Sequence, residues 1–382
     1  MDQARKSMEQ ARKSMEQARK SMEQARNTME QLLRLMSNEG ASDLHLSSGA
    51  PPQLRIDGEL VGLKSDPLTP AQTRALALSI LSEDQREKFD LDNELDFSFG
   101  IEGLARFRGN IFMQRGSVAA AFRLIPAKLR SFDELGLPDT LRRLADLPRG
   151  LVLVTGPTGS GKSTTLATII DHVNRNYHKH IITVEDPIEY VHSNKMALVN
   201  QREIGTDTAS YSSAVRYLLR QDPDVVLLGE LRDKESIETA LTMAETGHLV
   251  LSTLHTNSCA QTINRIIDVF PATQQEQIRT QLSFVLEAVV CQQLLPKASG
   301  HGRCVAFEIM IANTAIRNLI REDKIHQIYS TIQLNQRKGI TGGMITLNQS
   351  LANLYNDRLI TQEEALAHAG DINELRTMLG II

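Results

Sequence analysis

The chain has 382 residues, of which 41% are hydrophobic and 23% are charged, and its formal net charge at pH 7 is −4. This length predicts two or three domains, and the composition is typical of a globular protein with sizeable cores. No apolar run approaches the roughly eighteen residues of a membrane span, and no signal-peptide segment opens the chain. We therefore predict a cytoplasmic protein whose contact with a membrane is peripheral. Its three cysteines lack C-x-x-C spacing, which indicates neither a disulfide framework nor a zinc site.

Residues 1–28 repeat a seven-residue unit that begins as MDQARKS. Methionine and alanine recur on one stripe of the predicted helix, which continues into the apolar segment of residues 29–36. The repeat is interpreted either as a coiled coil or as an exposed extension without a site, because methionine and alanine bury little surface. It carries seven Lys or Arg against four Asp or Glu, so the rest of the chain sums to about −7. An acidic body argues against nucleic acid as the main ligand.

A hairpin with three arginines is predicted for residues 105–125, with Gly116-Ser117 as its two-residue turn. Because side chains alternate along a strand, Arg106, Arg108 and Arg123 are expected on one face. Such a face is either an ordinary solvated surface or one that meets phosphate, and both interpretations stay open at this point.

Residues 156–163 fit the phosphate-loop spacing G-x-x-x-x-G-K-[ST], directly after an apolar run that predicts a buried parallel strand. Glycines allow backbone N–H groups to converge on phosphate oxygens, and a helix that opens at Lys162 adds its positive end. Lys162 can reach the β- and γ-phosphates, and Ser163 is placed to bind Mg²⁺. The predicted nucleotide-binding residues are Thr158, Gly159, Ser160, Gly161, Lys162, Ser163 and Thr164.

Strands and helices alternate after this loop, which predicts a parallel sheet covered on both faces. Ligands of such sheets bind beyond the carboxyl ends of the strands, where we expect the following acidic and histidine residues to lie. Glu230 is predicted as the carboxylate on the metal side, and Glu189 or Glu185 as the group that orients or deprotonates water. His248 and His255 are interpreted either as hydrogen-bonded structural residues or as sensors of the γ-phosphate.

Several stretches together resemble the secretion ATPase superfamily. The phosphate loop and residues 183–189, 222–233 and 246–257 stand where that family has its Walker A, aspartate box, Walker B and histidine box. The segments ASDLHL at 41–46 and AIRNLIRE at 315–322 further resemble the type IV pilus retraction ATPases. The resemblance covers about residues 29–370, whereas the heptad repeat departs from the family pattern.

The resemblance implies an α/β protein that assembles as a homohexameric ring and hydrolyses ATP with Mg²⁺. It implies that Arg108 and Arg123 act as arginine fingers, that Glu189 is the catalytic glutamate and that Glu230 is the Walker B glutamate. The implied motor retracts type IV pili and supports twitching motility. Its implied partners are an inner-membrane platform protein and a second retraction ATPase. The implied domains are the heptad-repeat extension (1–28), a PAS-like α+β domain (29–126), and a linker with a RecA-like ATPase domain and helical C-terminal region (127–382).

Three other functions stay open at this stage. A pilus assembly or type II secretion ATPase is disfavoured because the paired cysteines of the extension motors are missing. A regulatory ring subunit that binds ATP but turns over slowly is disfavoured, because it has no need for the complete set of Lys162, Ser163, Glu189 and Glu230. A RecA-like nucleic-acid motor is disfavoured by the acidic body and by the absence of tryptophan.

Overall fold

The computed structural model describes residues 2–56, 58–125, 129–335 and 343–381, and for residues 1–15, 17 and 18 it describes no side chains. The chain divides into two compact units, Met1–Ala127 and Lys128–Ile382, each with its own sheet. The boundary expected at residue 126 lies outside the described residues. None of the helices in the described ranges is apolar over enough length to cross a lipid bilayer.

The first unit opens with one continuous helix, α1 (Asp2–Asn38), which contains the repeat and the apolar segment that follows it. Met29, Leu33 and Met36 are fully buried in the core of this unit, because their spacing of three and four residues places them on one helix face. Met22, in the last repeat, is exposed. The earlier methionines and alanines of the stripe fall on side chains outside the described set, so a coiled coil stays a prediction.

The first unit contains a six-stranded antiparallel sheet with strand order β3-β2-β1-β6-β5-β4. Its core lies between this sheet and the helices, around the buried rings of Phe89, Phe107 and Phe122. The elements after α1 are β1 (Asp43–Leu46), β2 (Gln53–Ile56), β3 (Glu59–Gly62), α2 (Pro70–Leu78), α3 (Glu83–Asp92), β4 (Glu94–Ile101), β5 (Ala105–Gln114) and β6 (Ser117–Ile125).

The turn between β5 and β6 differs from the predicted one. Arg115 and Gly116 form it, with φ angles of 47° and 74°, and Arg108 pairs directly with Arg123. Positive φ at both central residues is the type I′ pattern, whose twist matches that of the flanking strands. The predicted turn was wrong by one residue. As a result, the partner of Arg123 is Arg108 and not the expected Asn110, a shift of two residues. Arg108 and Arg123 therefore keep a common face.

The second unit contains a seven-stranded sheet with strand order β13-β12-β7-β11-β10-β8-β9. Every neighbouring pair is parallel except β12 with β13. The strands are β7 (Gly150–Thr155), β8 (His180–Glu185), β9 (Leu198–Glu203), β10 (Val225–Leu228), β11 (Leu249–Leu254), β12 (Leu286–Pro296) and β13 (Arg303–Ile311). We predicted β7, β8, β10 and β11 but not the three others.

Helices cover both faces of this sheet, as the alternation of strands and helices predicts. Along β7, Leu151 and Leu153 belong to one buried cluster, and Val152 and Val154 belong to the cluster on the other face. The helices are α4 (Phe132–Leu135), α5 (Asp139–Ala145), α6 (Lys162–Asn176), α7 (Tyr211–Leu218), α8 (Lys234–Glu245), α9 (Cys259–Asp268), α10 (Ala272–Val285), α11 (Thr314–Arg321), α12 (Ile328–Leu334), α13 (Leu347–Asn356), α14 (Gln362–Ala367) and α15 (Ile372–Leu379), with a 3-10 turn at Ile325–Gln327.

Candidate nucleotide-binding site

The phosphate loop connects the carboxyl end of β7 to α6. Gly156, Gly159 and Gly161 adopt φ angles of 140°, 79° and 90°, a region that only glycine enters at low cost. Helix α6 begins at Lys162, so the N–H groups of its first turn point out of the helix end, where anions bind. Ser160 Oγ is buried and has no hydrogen-bond partner in the described part of the chain. These features fit a site for phosphate oxygens.

Lys162 is the positively charged residue of this loop. It is buried, and its Nζ donates hydrogen bonds to Gly156 O at 2.9 Å and Pro157 O at 3.0 Å. Burial lowers the pKa of Lys162, and the negative charges of Glu230 and Glu189 oppose that shift. Two carboxylates that follow different strands therefore lie near enough to act on the lysine of the phosphate loop.

Glu230 directly follows β10 and Gly229. Its Oε2 accepts a hydrogen bond from Arg232 Nε at 2.8 Å, and its Oε1 lies 3.5 Å from His255 Nε2. A Cβ at Gly229 would lie 3.2 Å from the carbonyl oxygen of Val184. The close approach of β8 thus favours glycine at position 229, and Glu230 is left as the acid at this strand end.

Glu185 and Glu189 were the two candidates for orienting water, and their surroundings differ. The Glu185 carboxylate accepts hydrogen bonds from Thr183 Oγ1 at 2.6 Å and Gln201 Nε2 at 3.1 Å. Burial raises the pKa of Glu185, and these two bonds oppose the rise. Glu189 is exposed, and its charge acts on Lys162. The geometry favours Glu189.

Tyr190 ties the segment that carries Glu189 to the phosphate-loop helix. Its hydroxyl lies 2.7 Å from Thr164 Oγ1, in the first turn of α6. Thr164 and Ser163 follow Lys162 directly, so this bond joins the predicted catalytic glutamate to the predicted phosphate-binding residues. Ser163 and Glu230 offer hydroxyl and carboxylate oxygens, which are ligand types that Mg²⁺ prefers.

The two candidate histidines lie at opposite ends of β11. His255 follows the strand and stands beside Glu230. His248 precedes the strand, and its Nδ1 lies 3.0 Å from Met243 O. A strand of that length separates the two by about 20 Å. The expectation that both histidines lie at carboxyl ends was wrong for His248, because a residue that precedes a parallel strand lies at the opposite edge of the sheet.

Arg106, Arg108 and Arg123 share one face of the antiparallel sheet, by their alternation along β5 and the direct pairing of Arg108 with Arg123. Each has a partner from a neighbouring strand. The distances are 2.6 Å from Arg106 Nη2 to Ser98 Oγ, 4.0 Å from Arg108 Nη2 to Asp96 Oδ1, and 2.7 Å from Arg123 Nε to Asp43 Oδ1. The face is therefore not purely cationic, which the isolated hairpin did not reveal.

Asp43 is the buried member of these pairs: its side chain is 9% exposed, against 69% for Arg123. Burial acts to raise its pKa, but hydrogen bonds from Ser42 and Arg123 outweigh it and hold the pKa of Asp43 below its ordinary value. Asp43 thus anchors one end of the Arg123 side chain while most of the guanidinium side chain stays exposed.

Two buried cysteines lie beneath the phosphate loop. Cys259 Sγ and Cys291 Sγ are 3.9 Å apart, and both are thiols, as is the half-buried Cys304. The hydroxyl of Thr155, the last residue of β7, lies 2.8 Å from Cys291 Sγ. Within the described ranges, Cys259, Cys291 and Glu308 form the group of three side chains close enough to share a metal ion. That group is in the core.

Some residues of the site were not identified from the sequence. A cavity of about 440 Å³ beside Glu230 and His255 is lined further by Gln261 and Arg265 of α9. Gln292 of β12 hydrogen-bonds to the phosphate loop. A polar residue inside a strand or on a helix face carries no motif of its own, so only the approach of the elements in space reveals it.

Comparison with known proteins places the chain in a family. The model of the type II/IV secretion system protein family matches residues 18–367. The type IV pilus retractation ATPase PilT of Pseudomonas aeruginosa is 51% identical over 334 residues, covering 87% of this chain and 96% of that protein. A twitching motility protein of Neisseria gonorrhoeae is 46% identical over 318 residues, covering 83% of this chain and 84% of that protein.

The crystal structure of the pilus retraction motor PilT with bound ADP has a similar α/β fold. It superposes with a TM-score of 0.84 at 52% identity, covering 91% of this chain and 99% of that one. These matches confirm the resemblance that the motifs predict. The chain belongs to the type II/IV secretion system protein family and, within it, to the type IV pilus retraction ATPases.

Proposed function

We propose that this chain hydrolyses Mg-ATP and drives a homohexameric motor that retracts type IV pili and supports twitching motility. The observation that carries the proposal is the glycine-rich phosphate loop with the buried Lys162 at the start of α6, close enough to Glu189 and Glu230 for their charges to act on the lysine. Phosphoryl transfer needs positioning and charge neutralisation, and this arrangement supplies a cation and two carboxylates at one site. A subunit that merely stored nucleotide would need the loop alone.

Each residue of the site has a role in this proposal. The loop residues Thr158, Gly159, Ser160, Gly161, Lys162, Ser163 and Thr164 bind the phosphates. ATP supplies the transferable phosphoryl group, and Ser163 and Glu230 hold the Mg²⁺ that accompanies it. Glu189 orients or deprotonates the attacking water. His255, beside Glu230, senses the state of the γ-phosphate.

Arg108 and Arg123 act as arginine fingers on the bound ATP. Their guanidinium groups neutralise the charge that spreads over the transferred phosphoryl oxygens. The first unit is then a PAS-like domain of residues 29–126. Residues 127–382 form a linker and a RecA-like ATPase domain with a helical C-terminal region, and residues 1–28 are an extension. The first unit's antiparallel sheet with helices and the second unit's largely parallel sheet support this division.

The proposed motor works in the cytoplasm, at the inner face of the inner membrane. It acts there on a pilus platform protein, and a second retraction ATPase is a further partner. Nucleic acid is not a proposed ligand, because the body of the chain is acidic.

The test is Mg-ATP hydrolysis per protomer over a series of protein concentrations, with Lys162→Ala as the blank. We expect a specific rate that rises as rings assemble and that vanishes in the blank, since the loop loses its cation. A rate that does not change with concentration would contradict completion of the site by assembly. Bound ATP without turnover would support the regulatory subunit instead.

A cellular test separates retraction from assembly. Cells that lack a retraction motor should keep surface pili that no longer shorten, whereas cells that lack an assembly motor should have no pili. Restoring the wild-type chain, but not Lys162→Ala, should restore shortening under the microscope. Absence of pili in the deleted strain would assign the chain to assembly.

A further inference from the structure

Gln292 of β12 connects the phosphate loop to the helix that follows it. The residue is buried, with 1% of its surface exposed. Its Nε2 donates to Ser160 O at 2.7 Å, and its Oε1 accepts from Thr165 Oγ1 at 3.0 Å. Both ends of the amide are therefore used, one on the loop and one in the first turns of α6.

The bond to Ser160 O determines which way the adjacent peptide group faces. In a trans peptide unit the C=O of one residue and the N–H of the next point in opposite directions. Because the Ser160 carbonyl points toward β12, the Gly161 N–H points away from β12, toward the side of the loop that receives phosphate. Reversing this peptide would present a carbonyl oxygen to phosphate, which is repulsive.

Gln292 also packs closely against the glycines of the loop. A Cβ at Gly156 would lie 2.3 Å from Gln292 O, and a Cβ at Gly161 would lie 3.2 Å from Gln292 Nε2. The backbone and the side chain of one strand residue thus confine both ends of the glycine-rich segment. Contacts of this kind reduce the number of loop conformations that compete with the binding conformation.

We propose that Gln292 is a positioning residue that presets the phosphate loop, with the Gly161 N–H directed at the phosphates of the bound nucleotide. This inference rests on the proposed ATP-binding function. Gln292 touches the loop rather than the nucleotide, so it acts through Ser160 and Gly161. Without the Gln292 side chain, the loop would become ordered only when nucleotide binds. The conformational entropy lost in that step lowers the affinity for nucleotide.

The test compares Gln292→Met with Gln293→Met. Methionine keeps the length of glutamine but makes neither hydrogen bond. Gln293 is the matched control because it lies on the other face of β12, where its Oε1 lies 3.2 Å from His368 Nδ1. Titration of the full-length protein with ADP, together with steady-state hydrolysis of Mg-ATP, provides the readout.

We expect Gln292→Met to raise the Kd for ADP and the KM for ATP about tenfold, as the loss of two buried hydrogen bonds predicts. The kcat should change by less than about threefold, because the loop binds the phosphates in the ground state and in the transition state. Gln293→Met should leave both constants within about twofold of wild type. The melting temperature of each variant, measured without nucleotide, distinguishes weaker nucleotide binding from a general loss of stability.

Thr165→Val provides a second, milder variant. It removes the hydroxyl that braces the Gln292 amide and should weaken ADP binding about threefold, in line with the loss of one hydrogen bond. The inference would be overturned if Thr165→Val and Gln292→Met both bound ADP with wild-type affinity. It would also be overturned if Gln293→Met weakened ADP binding as much as Gln292→Met does. If Gln292→Met does not fold, Thr165→Val decides. A wild-type protein that neither binds ADP nor hydrolyses ATP would instead overturn the proposed function.

Discussion

The two sheets of this protein present their candidate functional residues in different ways. In the second unit these residues follow the carboxyl ends of parallel strands, where the charges of Glu189 and Glu230 act on Lys162. In the first unit they lie on the face of antiparallel strands, where Arg108 and Arg123 stand opposite each other. Strand ends of a parallel sheet meet at one edge, so order along the chain is enough to group them. A strand face is completed by its neighbours, which are distant in sequence.

Both regions contain ion pairs. At the strand ends, the charges of Glu230 and Glu189 act on Lys162, and Glu230 is also paired with Arg232 at 2.8 Å. On the antiparallel face, Arg123 already has a carboxylate partner in Asp43 at 2.7 Å. Because Glu189 is the proposed water-orienting group and the arginines are proposed to stabilise charge, the larger effect on turnover is expected at the strand ends.

The largest expected effect compares Glu185, the last residue of β8, with Glu189, which follows the strand. Glu189→Gln should lower the kcat for Mg-ATP by at least about a hundredfold, because the proposed general base or water-orienting group is lost. ADP binding should be retained. Glu185→Gln should keep turnover within about threefold of wild type, because that side chain is bonded to Thr183 and Gln201 of its own sheet. Phosphate release and ADP titration measure both variants, and equal losses of turnover would contradict the distinction.

A smaller effect is expected on the antiparallel face. Arg108→Ala and Arg123→Ala should each slow hydrolysis about tenfold while the proposed ring still assembles, since each removes one of the two charges that we propose stabilise the transferred phosphoryl group. Arg55→Ala is the matched control: its guanidinium lies 3.9 Å from Asp43, on the neighbouring strand β2.

The control should stay within about twofold of wild type, because Arg55 is not a proposed arginine finger and its removal leaves the shorter Arg123–Asp43 pair in place. Hydrolysis rates and light scattering measure turnover and assembly together. Unchanged turnover in both arginine variants would return this face to the interpretation of an ordinary solvated surface.

The smallest expected effect concerns the hydrogen bond between Tyr190 and Thr164, near the strand ends. Tyr190→Phe removes the hydroxyl that lies 2.7 Å from Thr164 Oγ1 and should lower kcat about threefold through a less well positioned Glu189. The Kd for ADP should stay at its wild-type value, since the loop is intact. A weaker ADP complex with normal kcat would mean that Tyr190 supports the loop instead.

Local patterns were sufficient for much of the nucleotide site. The phosphate loop, the strands β7, β8, β10 and β11, and the start of α6 at Lys162 all follow from apolar runs, glycine spacing and turn chemistry. Each of these features is decided by residues within a few positions of one another. The common face of Arg108 and Arg123 also follows from the sequence. Side chains alternate along a strand, so an error of two residues in the pairing leaves each side chain on the same face.

Other features depend on which elements pack together. The pairing of Asp43 with Arg123, the position of His248 at the far edge of the sheet, and the choice between Glu185 and Glu189 all require the assembled sheets. So does Gln292, whose strand was not predicted and which meets Ser160 across 132 positions of the chain. Hydrogen bonds and charge pairs act over a few ångströms in space whatever their separation in sequence. The motif is thus a local property of the chain, whereas the conformation and charge of the site around it are set by tertiary packing.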